Sequence, residues 1–564
     1  MITKTLAVTF CICAPLAGQG IELFPQTLNR SDFPSPSNPP SVADVATGDL
    51  NGDGIEDLVF AGFPHGGILL QGKDQPLSSN FQGSGRFFDV SASMGPGSPN
   101  LFGLISRAVA IADLDEDGDN DVIVCTDNVG LEIVPLFNSL NAGQTQLQAG
   151  APLTTGAPMD AVEAIAVGDV DGDGDADLAV VTNALFPQPP RSPTQPLLFL
   201  NDGSGTFTNA TPTNIPVDPQ TTGTATQSDI AMADINGDGF LDIIVSRFNG
   251  LTTADPSLLL LNAGSTNPGQ FINSTNLIGS QTDYTSSIVA GDVDDDGDLD
   301  IVFGVTGTPT SFLMRQGPGL SFTRETIAPI TATGQSAITT QTAIFQMDVR
   351  LLDFDEDCDL DLIVNHNDPT ERTQLLENDG AGNWTEVPNL IFDETAGAGG
   401  GAWHTAMEVA DIDGDGDLDA ILGSDNPLTP AIEIRYNRFR ELDAPRTIQD
   451  GSSLALEVSS APGLGAIQLL NSFVIIDLTA RSNFLQIPGL TRGPCQLPTG
   501  DLLGLTPFAQ LIDILIPPYQ SVLTIPLPSG FVGTTVYFQC ASVRFGVSSP
   551  EFFLGAVTAT EIVP

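Results

Sequence analysis

The sequence predicts an all-β protein: a seven-bladed β-propeller followed by a C-terminal β-sandwich. Three observations carry this prediction. A nine-residue acidic loop, typified by DVDGDGDAD at Asp169–Asp177, recurs seven times at intervals of 56 to 65 residues. Each copy is flanked by short apolar strands, with no helical periodicity between copies. After about Ala444 the loops stop and strands of a different pattern follow.

The loop sets the chemistry. Five carboxylates within nine residues repel one another in water unless a cation lies among them. A hard divalent ion takes about six to eight oxygens. A tight turn supplies them from side chains at positions 1, 3, 5 and 9 and from the carbonyl at position 7. Glycine at position 6 allows the positive φ that wraps the chain round the ion. The candidate ligands are Asp49, Asn51, Asp53 and Asp57; Asp113, Asp115, Asp117 and Asp121; Asp169, Asp171, Asp173 and Asp177; Asp234, Asn236, Asp238 and Asp242; Asp292, Asp294, Asp296 and Asp300; Asp353, Asp355, Asp357 and Asp361; and Asp411, Asp413, Asp415 and Asp419. Asn51 and Asn236 each remove one charge and should weaken their sites modestly. In copy 6 Cys358 replaces the glycine, so that turn is expected to be strained and its site the poorest.

An EF-hand is excluded, because that loop needs a Glu at position 12 and a helix on each side. Position 12 here is Phe60, Val124, Val180, Val245, Phe303, Val364 or Leu422, and it lies in a strand-like run such as DLAVVT. The ion is therefore expected in the turn of a β-hairpin. Every donor is a hard oxygen and no His or Cys recurs in the loop, so the expected metal is Ca²⁺, up to seven ions.

Each repeat shares one grammar. A first strand such as VADVATG or EAIAVG precedes the loop, and the last residue before the first Asp is small in six copies; Leu352 is the exception. The second strand follows the loop, then a third such as PLLFLN. A Gly-rich turn ending in an aromatic (Phe207, Phe271, Phe322, Trp384) leads into a fourth. Four strands per repeat of this length is a propeller blade. Blade 7 has no fourth strand of its own, and the segment Gly20–Asn29 is expected to supply it and close the ring.

These residues resemble the FG-GAP/VCBS repeats of integrin α-chain-like propellers, over about residues 20–440. The resemblance implies that the seven loops join strands one and two of their blades on one face of the ring.

The domains are read as a signal peptide at 1–19, a propeller at 20–443 and a sandwich at 446–564. The opening MITKTLAVTFCICAPLAGQG has a lysine, an apolar run and then small residues, the pattern of secretory signals. An exported, extracellular or cell-surface protein is expected. No later apolar run is long enough for a membrane span. Export permits disulfides, and Cys495 and Cys540 are candidates for one; Cys125 and Cys358, in different repeats, are expected to be free thiols. With 18 Lys and Arg against 70 Asp and Glu, the formal charge is −52. Even seven divalent ions leave it strongly negative, which argues against nucleic acid or anionic membrane surfaces as partners.

No catalytic constellation is found among the three histidines, His65, His366 and His404. All three fall in connections expected on the face opposite the calcium loops, in the neighbouring blades 6, 7 and 1. With Trp403 beside them they make a candidate ligand-binding patch. The long connections 185–195, 247–256 and 325–347 are further recognition candidates. The expected role is adhesion or binding of an extracellular glycan or protein. The alternatives are a calcium-dependent polysaccharide lyase or hydrolase, and a structural component of a secreted assembly.

Overall fold

The chain was analysed as a computed structural model. It describes residues 26–28, 41–52, 56–63, 66–71, 87–89, 105–127, 132–140, 145–154, 161–183, 195–217, 225–249, 256–279, 284–305, 311–327, 347–354, 359–366, 373–386, 404–412, 418–424, 431–435 and 437, and further strands between 442 and 563. The expected signal peptide and most of the Cys495 region lie outside the described residues, as does Cys358.

Seven four-stranded antiparallel sheets follow one another along residues 26–435. Blade 3 shows the plan, with strands Ala161–Gly168, Asp177–Asn183, Leu197–Leu200 and Thr208–Asn209. The acidic loop is the hairpin turn between the first two strands, where Gly168 pairs with Asp177. Blade 7 is completed by Gln26–Leu28, whose Gln26 sits opposite Ile434, as the sequence predicts. The ring is therefore closed by pairing its two ends, with Gln26–Leu28 as the outer strand of blade 7.

The apolar residues that alternate along these strands pack between blades. Among the described residues seven buried clusters form, each drawing side chains from two adjacent blades; one joins Val42, Val45 and Leu58 of blade 1 to Ile412, Ile421 and Ile434 of blade 7. Close approach of blades also explains the small residue before six of the loops. A Cβ on Gly168 would lie 2.6 Å from Leu241 Cδ1 of blade 4. Trp384 packs against the blade 5–6 cluster, in the slot that Phe fills in other blades.

The first strands of all seven blades line a central cavity of about 470 Å³. In six of them the pairing register slips by one residue at the same place, for example between Val42 and Asp44 and between Gln227 and Asp229. Such a bulge bends the strand and re-aims its neighbours. At that register three blades carry an aspartate that reaches the next blade. Asp44 accepts from Val109 N–H at 3.0 Å, Asp229 from Ile288 N–H at 2.9 Å, and Asp348 from Met407 N–H at 3.1 Å. Asp348 also takes the Ser287 hydroxyl at 2.8 Å and Arg350 Nη1 at 2.6 Å. The sequence pattern marks these residues as lone acids in apolar strands; a bulge precedes Asp44 and Asp229, whereas the strand of Asp348 pairs without a slip.

Beyond the propeller, the described strands form a three-stranded sheet and a five-stranded sheet. Strands fall where the sequence predicts, at Ser453–Ser459, Asn471–Asp477, Gln520–Pro526, Thr535–Phe545 and Pro550–Val563, with one more at Gln510–Leu515. How the two sheets face each other lies outside the described residues.

Removing a clamp tests this account. Asp348→Ala strips partners from a backbone N–H, a hydroxyl and a guanidinium at once. A loss of about 3 kcal/mol is expected in chemical denaturation, with Asp348→Asn losing less.

Candidate metal centre

Position 9 is the best-fixed residue of each loop. Asp57, Asp121, Asp177, Asp242, Asp300, Asp361 and Asp419 are all at most 1% exposed. One carboxylate oxygen accepts from the N–H of position 2 of its own loop, as from Leu114 to Asp121 and from Val170 to Asp177. The other accepts from the residue at the end of the third strand: Asn138, Asn201, Asn262, Gln316, Asn378 or Asn437, at 2.6–2.8 Å. A single side chain thus ties the loop to the third strand.

The asparagine at that strand end carries the link outward. Asn201 Nδ2 donates to Ala176 O in its own loop and to Leu114 O in the loop of the preceding blade. Asn138, Asn262 and Asn378 repeat the pattern, and Asn437 donates to Phe354 O. Neighbouring loops are therefore held in register round one face. The signal was visible as the final Asn of LFN, FLN, LLN, LEN and RYN.

The turn geometry matches the expectation for position 6: Gly118, Gly174, Gly239 and Gly297 have φ of 93°, 102°, 89° and 91°. Position 4 is also left-handed, which the sequence concealed in two loops. There Gly52, Gly172 and Gly237 give way to Glu116 (φ 57°) and Asp295 (φ 58°). Position 1 then gathers backbone donors: Asp169 accepts from Gly172 N–H at 2.6 Å and Gly174 N–H at 3.0 Å.

Carboxylate oxygens converge within 4.8 Å of one another in Asp113, Asp115 and Asp121; in Asp169, Asp171 and Asp177; and in Asp292, Asp294 and Asp296. In loop 4, Asn236 Oδ1 instead accepts Asp238 N–H at 2.9 Å. Of the remaining candidates, Asp49, Asn51, Asp57, Asp353, Asp361, Asp411 and Asp419 are placed in their loops, whereas Asp53, Asp355, Asp357, Asp413 and Asp415 lie outside the described residues.

These residues suit a hard cation. Asp113 Oδ1, Asp115 Oδ1, Asp171 Oδ1 and Asp294 Oδ1 are buried oxygens with no hydrogen-bond donor. An anionic oxygen held dry without a partner is costly, and a divalent ion at the centre of the three carboxylates would satisfy it. Without an ion the loops feel the same cost through their proton affinity. Burial pushes the carboxyls of Asp121, Asp177 and Asp242 up to about 7 and that of Asp300 up to about 6, against the backbone N–H bonds that pull them down.

The sequence-predicted ligand patch was expected on the opposite face. His366 ends the strand Asp361–His366 and His404 begins His404–Ala410, both at the strand ends away from the loops and in adjacent blades. Their side chains, His65 and Trp403 lie outside the described residues, as do 185–194, 250–255 and 328–346 within the long connections. Cys125 is a free, fully buried thiol, and burial holds it well above the usual thiol range.

Comparison with protein-family models matches residues 113–180, 190–245 and 353–422 to the FG-GAP-like repeat. This is an FG-GAP-repeat β-propeller. The matched segments cover the loops of blades 2, 3, 4, 6 and 7, and the same strand order runs through the rest of this FG-GAP ring. No curated protein matches the chain. Among solved structures, one chain of the Chaetomium thermophilum Polycomb Repressive Complex 2 bound to GSK126 is similar at 10% identity. That match covers 63% of this chain and 73% of the other, with a TM-score of 0.35. The exo-β-1,3-galactanase from Phanerochaete chrysosporium is similar at 8% identity over 70% of this chain and 95% of its own, with a TM-score of 0.28. A GH43 β-1,3-galactosidase with galactodeoxynojirimycin matches at 13% identity over 58% and 88%, with a TM-score of 0.28. Likenesses this weak bear on neither substrate nor partner. Among the described residues no helix is long and apolar enough to cross a membrane.

The raised carboxyls give a pH dependence with a definite sign. An unfolded Asp titrates near about 3.9. The folded, metal-free loops hold protons up to pH 6–7. Between these limits the folded state binds more protons, so its stability falls as pH rises. Asp44 and Asp229, half-buried at the cavity wall and pushed up to about 8 and about 6 by desolvation, act in the same direction. In chelator the melting temperature is therefore expected to be higher at pH 5 than at pH 8; a rise with pH would contradict this reading.

Proposed function

We propose that this protein is an exported propeller whose loops bind Ca²⁺ structurally, and that it works outside the cell as an adhesion or ligand-binding module for a glycan or a protein. The observation that supports calcium is the set of buried, donorless oxygens on Asp113, Asp115, Asp171 and Asp294. The donors are all hard oxygens, and the charge that must be balanced is large. The ninth carboxylate ties each loop to its own blade, and the strand-end asparagines tie loops of neighbouring blades together. The ion's part is therefore to let acidic turns fold, and no step of catalysis is assigned to it.

The chemistry divides the ring into two faces. The loop face is repeated and carries the calcium reading. The other face ends in long connections that differ from blade to blade, the usual place for recognition on a rigid ring. His65, His366, Trp403 and His404 are proposed to contribute there. The C-terminal strands are read as a β-sandwich appended to this module. Secretion rests on the N-terminal pattern and suits calcium sites of the extracellular class, which bind at about 10⁻⁴–10⁻³ M.

At millimolar calcium each site adds roughly 0.4–1.4 kcal/mol by linkage, so several sites together contribute a large part of a domain's stability. A rise of several degrees in melting temperature on adding calcium to chelated protein is expected, and an unchanged melt would remove the calcium reading. A glycan array probed in calcium, with pull-downs from cell surfaces beside it, tests the binding role. Loss of the captured ligand in Trp403→Ala/His404→Ala is the expected result for the proposed patch.

A further inference from the structure

The fifth loop differs from the others in what stands beside it. Its third strand, Phe312–Gly317, carries Arg315 and Gln316 just before its end. Gln316 N–H donates to Asp300, so Gln316 occupies the register that Asn138, Asn201 and Asn262 hold in blades 2 to 4. Arg315 therefore stands where those blades have Phe137, Leu200 and Leu261. Instead of an apolar side chain, a guanidinium lies against the loop.

Every arm of that guanidinium is engaged. Nη1 donates to Oδ2 of Asp294, the position-3 carboxylate of the loop. Nε and Nη2 make a two-pronged contact with Glu325 on the fourth strand, at 3.0 and 3.1 Å. Nη2 also reaches Ala381 O in the turn of blade 6 at 3.3 Å. A Cβ on Gly382 would collide with the guanidinium, so the neighbouring blade closes over it. Arg315 and Asp294 side chains are only 19% and 17% exposed, which limits screening by salt. Two-pronged arginine–carboxylate contacts also fix orientation, so the group cannot swing away freely.

We infer that Arg315 is a resident counter-cation of the fifth loop, and that it sets this loop apart as a weak calcium site beside the stronger second and third. The inference rests on the calcium reading above. In loops 2 and 3, as in loop 5, the position-3 carboxylate keeps one buried oxygen without a donor, but among the described residues no guanidinium contact is seen at Asp115 or Asp171. In loop 5 one oxygen of Asp294 is already charge-paired. An incoming divalent ion must share Asp294 with a fixed positive charge a few ångströms away, or break the pair. Loop 5 accordingly keeps part of its fold without metal, while loops 2 and 3 depend on it.

The test is calcium titration of the full chain by calorimetry, with thermal melts in chelator and in calcium. Arg315→Met restores the apolar character of the other blades. It is expected to tighten one calcium equivalent by about tenfold or more, and to lower the melting temperature in chelator. Asp292→Asn added to Arg315→Met should abolish the gained equivalent, placing it in loop 5. Arg315→Lys keeps the charge and should retain the weak site. Wild-type calcium binding with a superimposable Arg315→Met titration would overturn the assignment of Arg315 alone. A wild-type chain that binds no calcium at any loop would overturn the calcium reading and this inference with it.

Discussion

The whole ring depends on burying one carboxylate per blade at the ninth position of the loop. Each is shut away from water, and in six blades it holds two backbone N–H groups, one from its own loop and one from the end of the third strand. A buried carboxylate is tolerated only when its oxygens are saturated with donors or cations. Here the donors close the hairpin and fasten the third strand to it, and the asparagine at that strand end passes the constraint to the blade before. The same residue that makes the turn acidic therefore also fixes the blade's internal register. The inner face uses a sparser version of this device, with Asp44, Asp229 and Asp348 reaching across three blade junctions.

Much of this was legible in the sequence because it is repeated. One acidic loop is ambiguous; seven with an invariant ninth Asp and an apolar twelfth position define a hairpin, a blade and a ring. Even the closing strand at Gln26–Leu28 could be anticipated, since blade 7 lacked a partner for its third strand. What the sequence hid was of two kinds. The left-handed backbone at position 4 was masked where Glu116 and Asp295 replace glycine. Arg315 was hidden because it occurs once, and its partners come from a loop, the next strand and the neighbouring blade.

The proposed ligand face resisted for the opposite reason. Recognition loops on propellers are selected blade by blade, so they share no pattern that repetition could expose. His366 and His404 do reach the face opposite the loops in adjacent blades, as their register requires. A few histidines and one tryptophan still name no chemistry by themselves. The fold and the proposal of a metal both rest on periodicity, whereas partner choice depends on residues that occur only once.

Closing the ring with Gln26–Leu28 has a consequence for the order of events during synthesis. The strand made earliest has its partner, Ile432–Arg435, at the far end of the propeller. Six blades can form from local hairpins as they emerge, but the seventh stays one strand short until that distant contact is made. Contacts between residues so far apart in the chain form slowly, because a long loop must close first. Until then the two terminal blades each present an apolar flank, Val42 and Leu58 on one side and Ile421 and Ile434 on the other. A nascent chain halted at that stage would be an open arc with two sticky ends, able to join a second arc end to end. Keeping the early strand apart from other chains until the last one arrives is thus a requirement that the closed ring imposes on its own biogenesis.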